Sequence, residues 1–353
     1  MKSKVYFSKV EPGNLEARIA ALKRLCAKIG PFLAYDKDEI VPVKITIGDT
    51  SCVYHMSPGL VALVVREMKK KGAKPFLFDT SVIYKGGRHN AVDHLALAGE
   101  KGFGYEKVGA PFIIADGLLG QDGKEHRIDA PHIKNIRIPS FIGMVDSLLV
   151  LSHATGHIVA GYGGAIKNVA MGMSCKATKQ VQHSSLKPSV SAKKCASCGQ
   201  CVAMCPVNAI ALESGKARID QKICVGCGEC LCACKFDAVG INWHEDPEIF
   251  CRRMVEVAQT ILAKFKKSFF INFAFDITRE CDCISKKGDE MAAKDIGIFA
   301  SSDIVSVDRA TVDAAYADKI SDYLPRAKKT YQKMLEYAAH KGLGNLDHDL
   351  IEL

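Results

Sequence analysis

At 353 residues the chain is long enough for about two domains. Hydrophobic residues make up 48% and charged residues 25%, a globular balance, and no run nears the roughly eighteen apolar residues of a membrane span. The net charge of +9 is spread out, clustering mildly at Lys69–Lys71, Lys193–Lys194 and Lys266–Lys267 without interleaved aromatics, so a solvated basic face is expected and no nucleic-acid partner. The N-terminus, MKSKVYFSKV, has no apolar stretch of the secretory kind. With fifteen cysteines, that points to a reducing, anaerobic cytoplasm.

Leu15, Ile19, Leu22, Leu25 and Ile29 recur at helical spacing after Asn14 and predict a first helix. Val41, Val43, Ile45 and Ile47 alternate as in a half-buried strand. Ser57-Pro58 offers an N-cap and N1 proline for a helix through Lys71, closed by Gly72. Pro75–Asp79, Pro111–Ala115 and Ser147–Leu151 are short apolar runs suited to buried parallel strands. The same grammar resumes at Pro247, with a helix to about Phe265 that carries Phe250, Met254, Val257 and Ile261 on one face. Strands at Ser268–Phe275 and Ile296–Ala300 follow, then helices over 308–320 and 325–341, the last stopped by Gly342 and Gly344. Strand–helix alternation on both sides predicts one discontinuous, mostly parallel α/β domain made of residues 1–188 and 246–353, with 189–245 inserted. Lys187-Pro188-Ser189 reads as the entry linker and His244–Pro247 as the exit.

The insertion holds two cysteine runs, Cys195-x2-Cys198-x2-Cys201-x3-Cys205-Pro206 and Cys224-x2-Cys227-x2-Cys230-x3-Cys234. Three thiols on a tight loop and a fourth on the next helical turn suit two [4Fe–4S] cubes, each run lending its fourth cysteine to the other cube. Cluster I then takes Cys195, Cys198, Cys201 and Cys234, and cluster II takes Cys224, Cys227, Cys230 and Cys205. Zinc ribbons would use separated pairs of cysteines rather than triplets. The second run departs from the pattern: Lys235 replaces the proline, and Cys232 is a spare thiol that either competes as a ligand or packs. Charges around the runs nearly balance, which predicts little electrostatic steering of a redox partner protein.

The run Ser147–Leu151 leads into His153, His157 and a glycine-rich stretch, Gly161-Tyr162-Gly163-Gly164-Ala165-Ile166-Lys167-Asn168. Ligands of open α/β sheets bind beyond the carboxyl ends of strands, and glycines permit close backbone approach. Lys167 would hold a carboxylate or phosphate, or serve as an attachment amine. The stretch matches neither the dinucleotide fingerprint nor the P-loop, and a tight structural turn is the plainer alternative. Cys281-x-Cys283 can bind a soft metal or exchange disulfides, or can be two packed thiols.

Taken together, these segments resemble a family of uncharacterised iron–sulfur centre proteins with an embedded two-[4Fe–4S] ferredoxin. The resemblance rests on Asp79-Thr80, His153-x3-His157, Gly163–Asn168, Met171–Met173, Gln182-His183-Ser184, the cysteine runs, Cys281-Asp282-Cys283 and Ser302-Asp303. More distantly, His157 to Lys167 followed by His183 resembles the cofactor segment of lactate racemase and its relatives. That resemblance implies the racemase N-terminal fold, with His157 transferring protons, Lys167 anchoring a nickel-pincer nucleotide and His183 binding nickel. Gly163 departs from the usual serine, Asn168 follows the lysine, and the second catalytic histidine falls among His89, His94 and His153.

The expectation that follows is an iron–sulfur oxidoreductase whose clusters exchange electrons with a small anionic substrate or cofactor in the α/β pocket. His157, Lys167 and His153 are its expected catalytic residues. Gly161, Gly163, Gly164, Lys167, Asn168 and His183 would bind a cofactor, either a second metal or a nucleotide-type group, and His183, Cys281 and Cys283 would hold the additional metal. An electron carrier or docking protein without catalysis, and a racemase or epimerase relative, are the alternatives.

Overall fold

The computed structural model describes residues 2–10, 15–30, 34–84, 86–157, 159–183, 187–205, 207–224, 229–236, 238–240, 246–316 and 325–353, without the side chains of 232, 316 and 325–329. Cys227, the Cys232 side chain and His244 and Glu245 of the expected exit linker therefore lie outside the described residues.

The first half of the chain runs β1 (Ser3–Lys9), α1 (Leu15–Lys28), β2 (Ile40–Lys44), α2 (Pro58–Lys70), β3 (Lys74–Asp79), α3 (Ala91–Glu100), α4 (Tyr105–Val108), β4 (Phe112–Ile114), β5 (Lys124–Arg127) and β6 (Asn135–Ile138). Next come β7 (Ser147–His153), β8 (Thr155–His157), β9 (Gly161–Gly163), α5 (Ala165–Ala170) and α6 (Lys176–His183). The cysteine-rich segment contributes β10 (Ser189–Val190), α7 (Gln200–Ala203), β11 (Ile210–Glu213), β12 (Lys216–Ile219), α8 (Glu229–Ala233) and β13 (Val239–Gly240). The chain then continues through α9 (Pro247–Leu262), β14 (Lys267–Ala274), β15 (Gly297–Ser301), α10 (Ile304–Tyr316), α11 (Pro325–His340) and β16 (His348–Glu352).

The central sheet has the order β16-β1-β15-β14-β7-β2-β3-β4. β15 is antiparallel to both its neighbours, and every other pairing is parallel. The fold is therefore mixed α/β around a mainly parallel sheet, with strands from both sides of the cysteine-rich segment. One apolar core lies under α5, α9 and α10, and a second lies on the opposite face under α1 and α2. Among the described residues no helix is long and apolar enough to cross a membrane.

Local signals explain most boundaries. Pro58 occupies the first turn of α2, but the Ser57 side chain makes no capping bond, and Gly72 (φ +91°) ends the chain's run past Lys70. Asp246 caps α9 by accepting from Glu248 N at 2.8 Å and Ile249 N at 3.4 Å. Phe250, Met254, Val257 and Ile261 of α9 are buried as their spacing requires. α10 begins at Ile304, earlier than expected, because Asp303 accepts from Val305 N and Ser306 N at 2.9 Å each.

Two expectations are corrected, and one pairing is new. β2 is central, so both its faces are covered: Val41, Val43, Ile45 and Ile47 enter one core, while Lys44 on the other face is also fully buried. The glycine-rich stretch is a β8–β9 hairpin followed by α5, rather than a loop. The edge strand β16 and its neighbour β1 carry no clear apolar alternation and pair across nearly the whole chain, Ser3 with His348.

Candidate functional site

Because β2, β3, β7 and β14 are mutually parallel, their carboxyl ends emerge along one side of the sheet. A cavity of about 780 Å³ opens there. Lys44 ends β2 and Thr46 follows it, Asp79 ends β3 with Thr80, Val82, Ile83 and Tyr84 beyond it, Ser152 and His153 end β7, Thr155 and His157 lie in β8, and Cys281 to Ile284 lie beyond β14. Two short helices close it. α5 contributes Lys167 and Asn168, and α6 contributes Lys179 and His183, which share a face at i, i+4 spacing.

His157, Lys167 and His183 thus line one cavity. Val159 N and Ala160 N both donate to His157 Nδ1, at 3.1 and 3.0 Å. A ring nitrogen that accepts twice carries no proton, so the neutral His157 ring bears its hydrogen on Nε2. The ring stacks on Phe250 at 5.7 Å, and His183 tilts on the same phenyl at 4.9 Å. Burial, with Lys167 nearby, holds His157 well below its ordinary pKa and lowers His183 to about 3. With its pKa held down, the His157 ring is a neutral hydrogen-bond donor.

Burial opposes the charge on Lys167, but the Cys281 and Cys283 sulfurs beside it prevail and its pKa is raised. Cys283 is held well below the ordinary thiol range, first by the hydrogen bond from Cys281 and then by Lys167 and Arg88, against burial. Cys281, the donor of that bond, is pushed up. Arg88 Nη2 lies 3.6 Å from Cys283 Sγ and donates to Tyr84 Oη at 2.8 Å. Among the described residues no three His, Cys, Asp or Glu side chains gather around a single metal-ion position, so His183 does not join Cys281 and Cys283.

Several residues expected to meet a ligand are instead engaged with the protein. His153 Nδ1 lies 2.9 Å from Asp282 Oδ1 and Nε2 lies 2.6 Å from the Phe275 carbonyl. Both acceptors need a donor, so His153 is the imidazolium that pins the Cys281–Cys283 turn to β7, and it has no nitrogen left for catalysis. Asn168 accepts from Lys44 at 2.7 Å and donates to the Leu151 carbonyl and to Ser152 Oγ. Gly164 leaves room for Asp308, whose carboxylate accepts from Ala165 N at 2.7 Å and Ile166 N at 2.9 Å and so fills the α5 N-terminus. Gly161 (φ +78°) serves the hairpin turn. Of the expected glycines, Gly163 and Gly164 reach the cavity wall.

Sequence reasoning missed the cavity's charged floor. Lys44 Nζ lies 3.0 Å from Asp79 Oδ1, and Arg88 approaches both Asp79 and Asp49 at 3.5 Å. Burial lowers Lys44 to about 8 even with Asp79 opposing. Lys179 donates to Thr80 Oγ1 at 2.6 Å and to the Ser81 carbonyl. Lys44, Arg88, Lys167 and Lys179 outnumber Asp79 and Asp282 among the lining residues, an excess that favours an anionic occupant.

The cysteine-rich segment builds on two antiparallel pairs, β10 with β13 and β11 with β12, around Cys201, Ile210, Ala217, Ile219, Cys230 and Val239. Cys195, Cys198, Cys201 and Cys234, the four thiols that spacing assigns to one cube, line a single small pocket. A cube holds its sulfurs farther apart than one ion does, so a shared pocket is the relevant geometry. Backbone amides of Ala217, Ala209 and Ala238 donate to Cys195, Cys205 and Cys234 at 3.4, 3.2 and 3.3 Å. α8, which bears Cys230, packs on α6, and Glu229 in its first turn meets Arg137 at 2.8 Å.

The family described as domain of unknown function (DUF362) matches residues 41–313. No curated protein matches the sequence. Among solved structures the chain is similar to the lactate racemase apoprotein from Thermoanaerobacterium thermosaccharolyticum, at 13% identity and a TM-score of 0.46, covering 86% of this chain and 55% of that one. It is also similar to a Thermotoga maritima protein of known crystal structure, at 10% identity and a TM-score of 0.44, over 94% of this chain and 60% of that one. The chain spans less than two thirds of the length of either.

Proposed function

The chain belongs to the DUF362 family, and from its own residues we propose that it is an iron–sulfur redox protein. In this reading the cysteine-rich segment exchanges electrons with a small anionic substrate or cofactor in the sheet-end cavity. Two [4Fe–4S] clusters, one on Cys195, Cys198, Cys201 and Cys234 and one on Cys224, Cys227, Cys230 and Cys205, would supply single electrons when bound. The amides of Ala217, Ala209 and Ala238 would stabilise negative charge on the sulfurs they meet.

One observation carries the reading: α8, with Cys230, packs on α6, whose Lys179 and His183 line the cavity. A single eight-residue helix thus separates the cysteine-rich segment from the reactive groups. Lys167 would hold the negative charge of the occupant. His157, neutral with its proton on Nε2, would donate a hydrogen bond to charge that develops during reaction. A carrier without catalysis has no use for so large a cavity or for a stabilised thiolate within it. A racemase-like use of the same His157, Lys167 and His183 would be marked by nickel that copurifies.

The test is Lys167→Ala in protein purified without oxygen. It should lose retention or turnover of anionic ligands while the iron–sulfur absorption stays intact, since no cluster thiol is touched. Retention and turnover equal to those of the parent would overturn the assignment of the cavity.

A further inference from the structure

We propose that Cys281 and Cys283 form a two-electron dithiol/disulfide couple on the cavity wall, whose disulfide oxidises small anionic thiols. The couple needs no iron and stands apart from the iron–sulfur reading. The two cysteines lie in one turn, where Ile284 N and Ser285 N both donate to the Cys281 carbonyl at 3.0 Å. That fold brings the sulfurs into hydrogen-bond contact with each other. The residue between them is fixed at both ends: His153 holds the Asp282 carboxylate, and Asp49 N donates to its carbonyl at 2.9 Å. Both sulfurs are free thiols here and both line the cavity, where a ligand can reach them.

Their surroundings differ from those of packed thiols. Cys26 and Cys52 are buried and pushed up to about 12 and about 11, first by desolvation. Cys283 instead accepts from Cys281 and faces Lys167, Arg88 and Tyr84, and is held down against burial. A stabilised thiolate favours the reduced pair, so the corresponding disulfide is a ready electron acceptor. It also makes Cys283 the better leaving group.

The step balances as follows. An anionic thiolate, RS⁻, attacks Cys281 Sγ; the Cys281–Cys283 bond breaks, and Cys283 leaves as the thiolate beside Arg88 and Lys167. A second RS⁻ attacks the sulfur of R in the mixed disulfide and releases RSSR, and Cys281 takes one proton from solvent. Two electrons pass from the two thiolates to the protein disulfide. The excess of cations lining the cavity draws such thiols in and disfavours neutral ones. An excess of RSSR runs the exchange backwards and restores the disulfide.

The test uses the full chain as isolated, equilibrated without oxygen in graded ratios of oxidised to reduced glutathione, then acid-quenched, alkylated and read by peptide mass spectrometry. The expected result is a reversible loss of two hydrogens on the peptide that carries both cysteines. Two unlinked thiols at every ratio, or a stable glutathione adduct that never resolves to the internal disulfide, would overturn the couple. Iodoacetamide labelling of the reduced protein against pH is the second readout. Cys283 should reach half its plateau rate well below the pH of about 8.5 that an ordinary thiol needs. A midpoint at or above the ordinary value would equally overturn it. Neither readout depends on iron content, so failure here leaves the iron–sulfur reading standing, and the reverse holds too.

Discussion

His153 Nδ1 stands 2.9 Å from Asp282 Oδ1, joining the end of β7 to the turn that carries Cys281 and Cys283. Burial alone would lower the His153 pKa, but Asp282 and the Phe275 carbonyl overcome it and the folded value is raised. The stabilisation is therefore complete below the unfolded pKa of about 6.5 and is lost as pH rises through the folded value. His153→Gln should cost about 3 kcal/mol at pH 6, because it leaves Asp282 buried without its cation, and less at pH 9. Thermal unfolding of both proteins at the two pH values measures this. A cost that grows with pH would show that His153 is neutral in the folded protein.

His94 carries the opposite sign. Its ring is fully buried, neither nitrogen makes a hydrogen bond, and burial lowers it to about 3 although Asp79 lies 3.7 Å away. With a depressed folded pKa, its contribution is present above about pH 6.5 and is lost as pH falls toward 3. His94→Phe should be well tolerated at pH 7.5 and should lessen acid destabilisation by roughly 2 kcal/mol at pH 5. Parallel stability curves for the two proteins between pH 7.5 and 5 would exclude it.

Lys44 and Asp79 form a fully buried pair at 3.0 Å. Lys44→Met removes one partner and should destabilise the protein by about 3–5 kcal/mol. Lys44→Met combined with Asp79→Asn should recover part of that loss, because the orphaned charge is gone. Denaturant unfolding of the single and double variants decides it; additive losses would mean the pair is not coupled.

Beside the α6–α8 contact, Arg137 of β6 pairs with Glu229 of α8 at 2.8 Å, with Glu229 buried. Arg137→Ala should speed amide hydrogen exchange in 229–233 while leaving the central strands β7 and β14 protected. Exchange unchanged in α8 would mean that other contacts hold the seam.

The sequence made legible what is local within it. Apolar periodicity located α1, α2 and α9 because it depends on residues a few positions apart, whereas placing Cys234 with Cys195, Cys198 and Cys201 at one pocket needed the rule that each run lends its fourth thiol to the other. The strand-end rule pointed to His157 and Lys167, which line the cavity, while His183, which lines it too, was marked only by the resemblance to a known cofactor segment. It did not foresee His153's partner Asp282, 129 residues away. No local pattern marks Lys44 in β2 or Lys179 in α6. Only the assembled sheet reveals that both line the cavity. Gly156 and Gly164 illustrate a subtler limit: a glycine marks close approach, but what approaches here is the protein itself, the Arg279 carbonyl and the Asp308 carboxylate.

The central claim is that the cysteine-rich segment carries two four-iron clusters. Iron and acid-labile sulfide analysis of protein purified without oxygen tests it most directly. The account predicts about eight of each per chain, and loss of about four of each in Cys198→Ser if the second cluster assembles alone. Zinc in place of iron, or iron without sulfide, would contradict it.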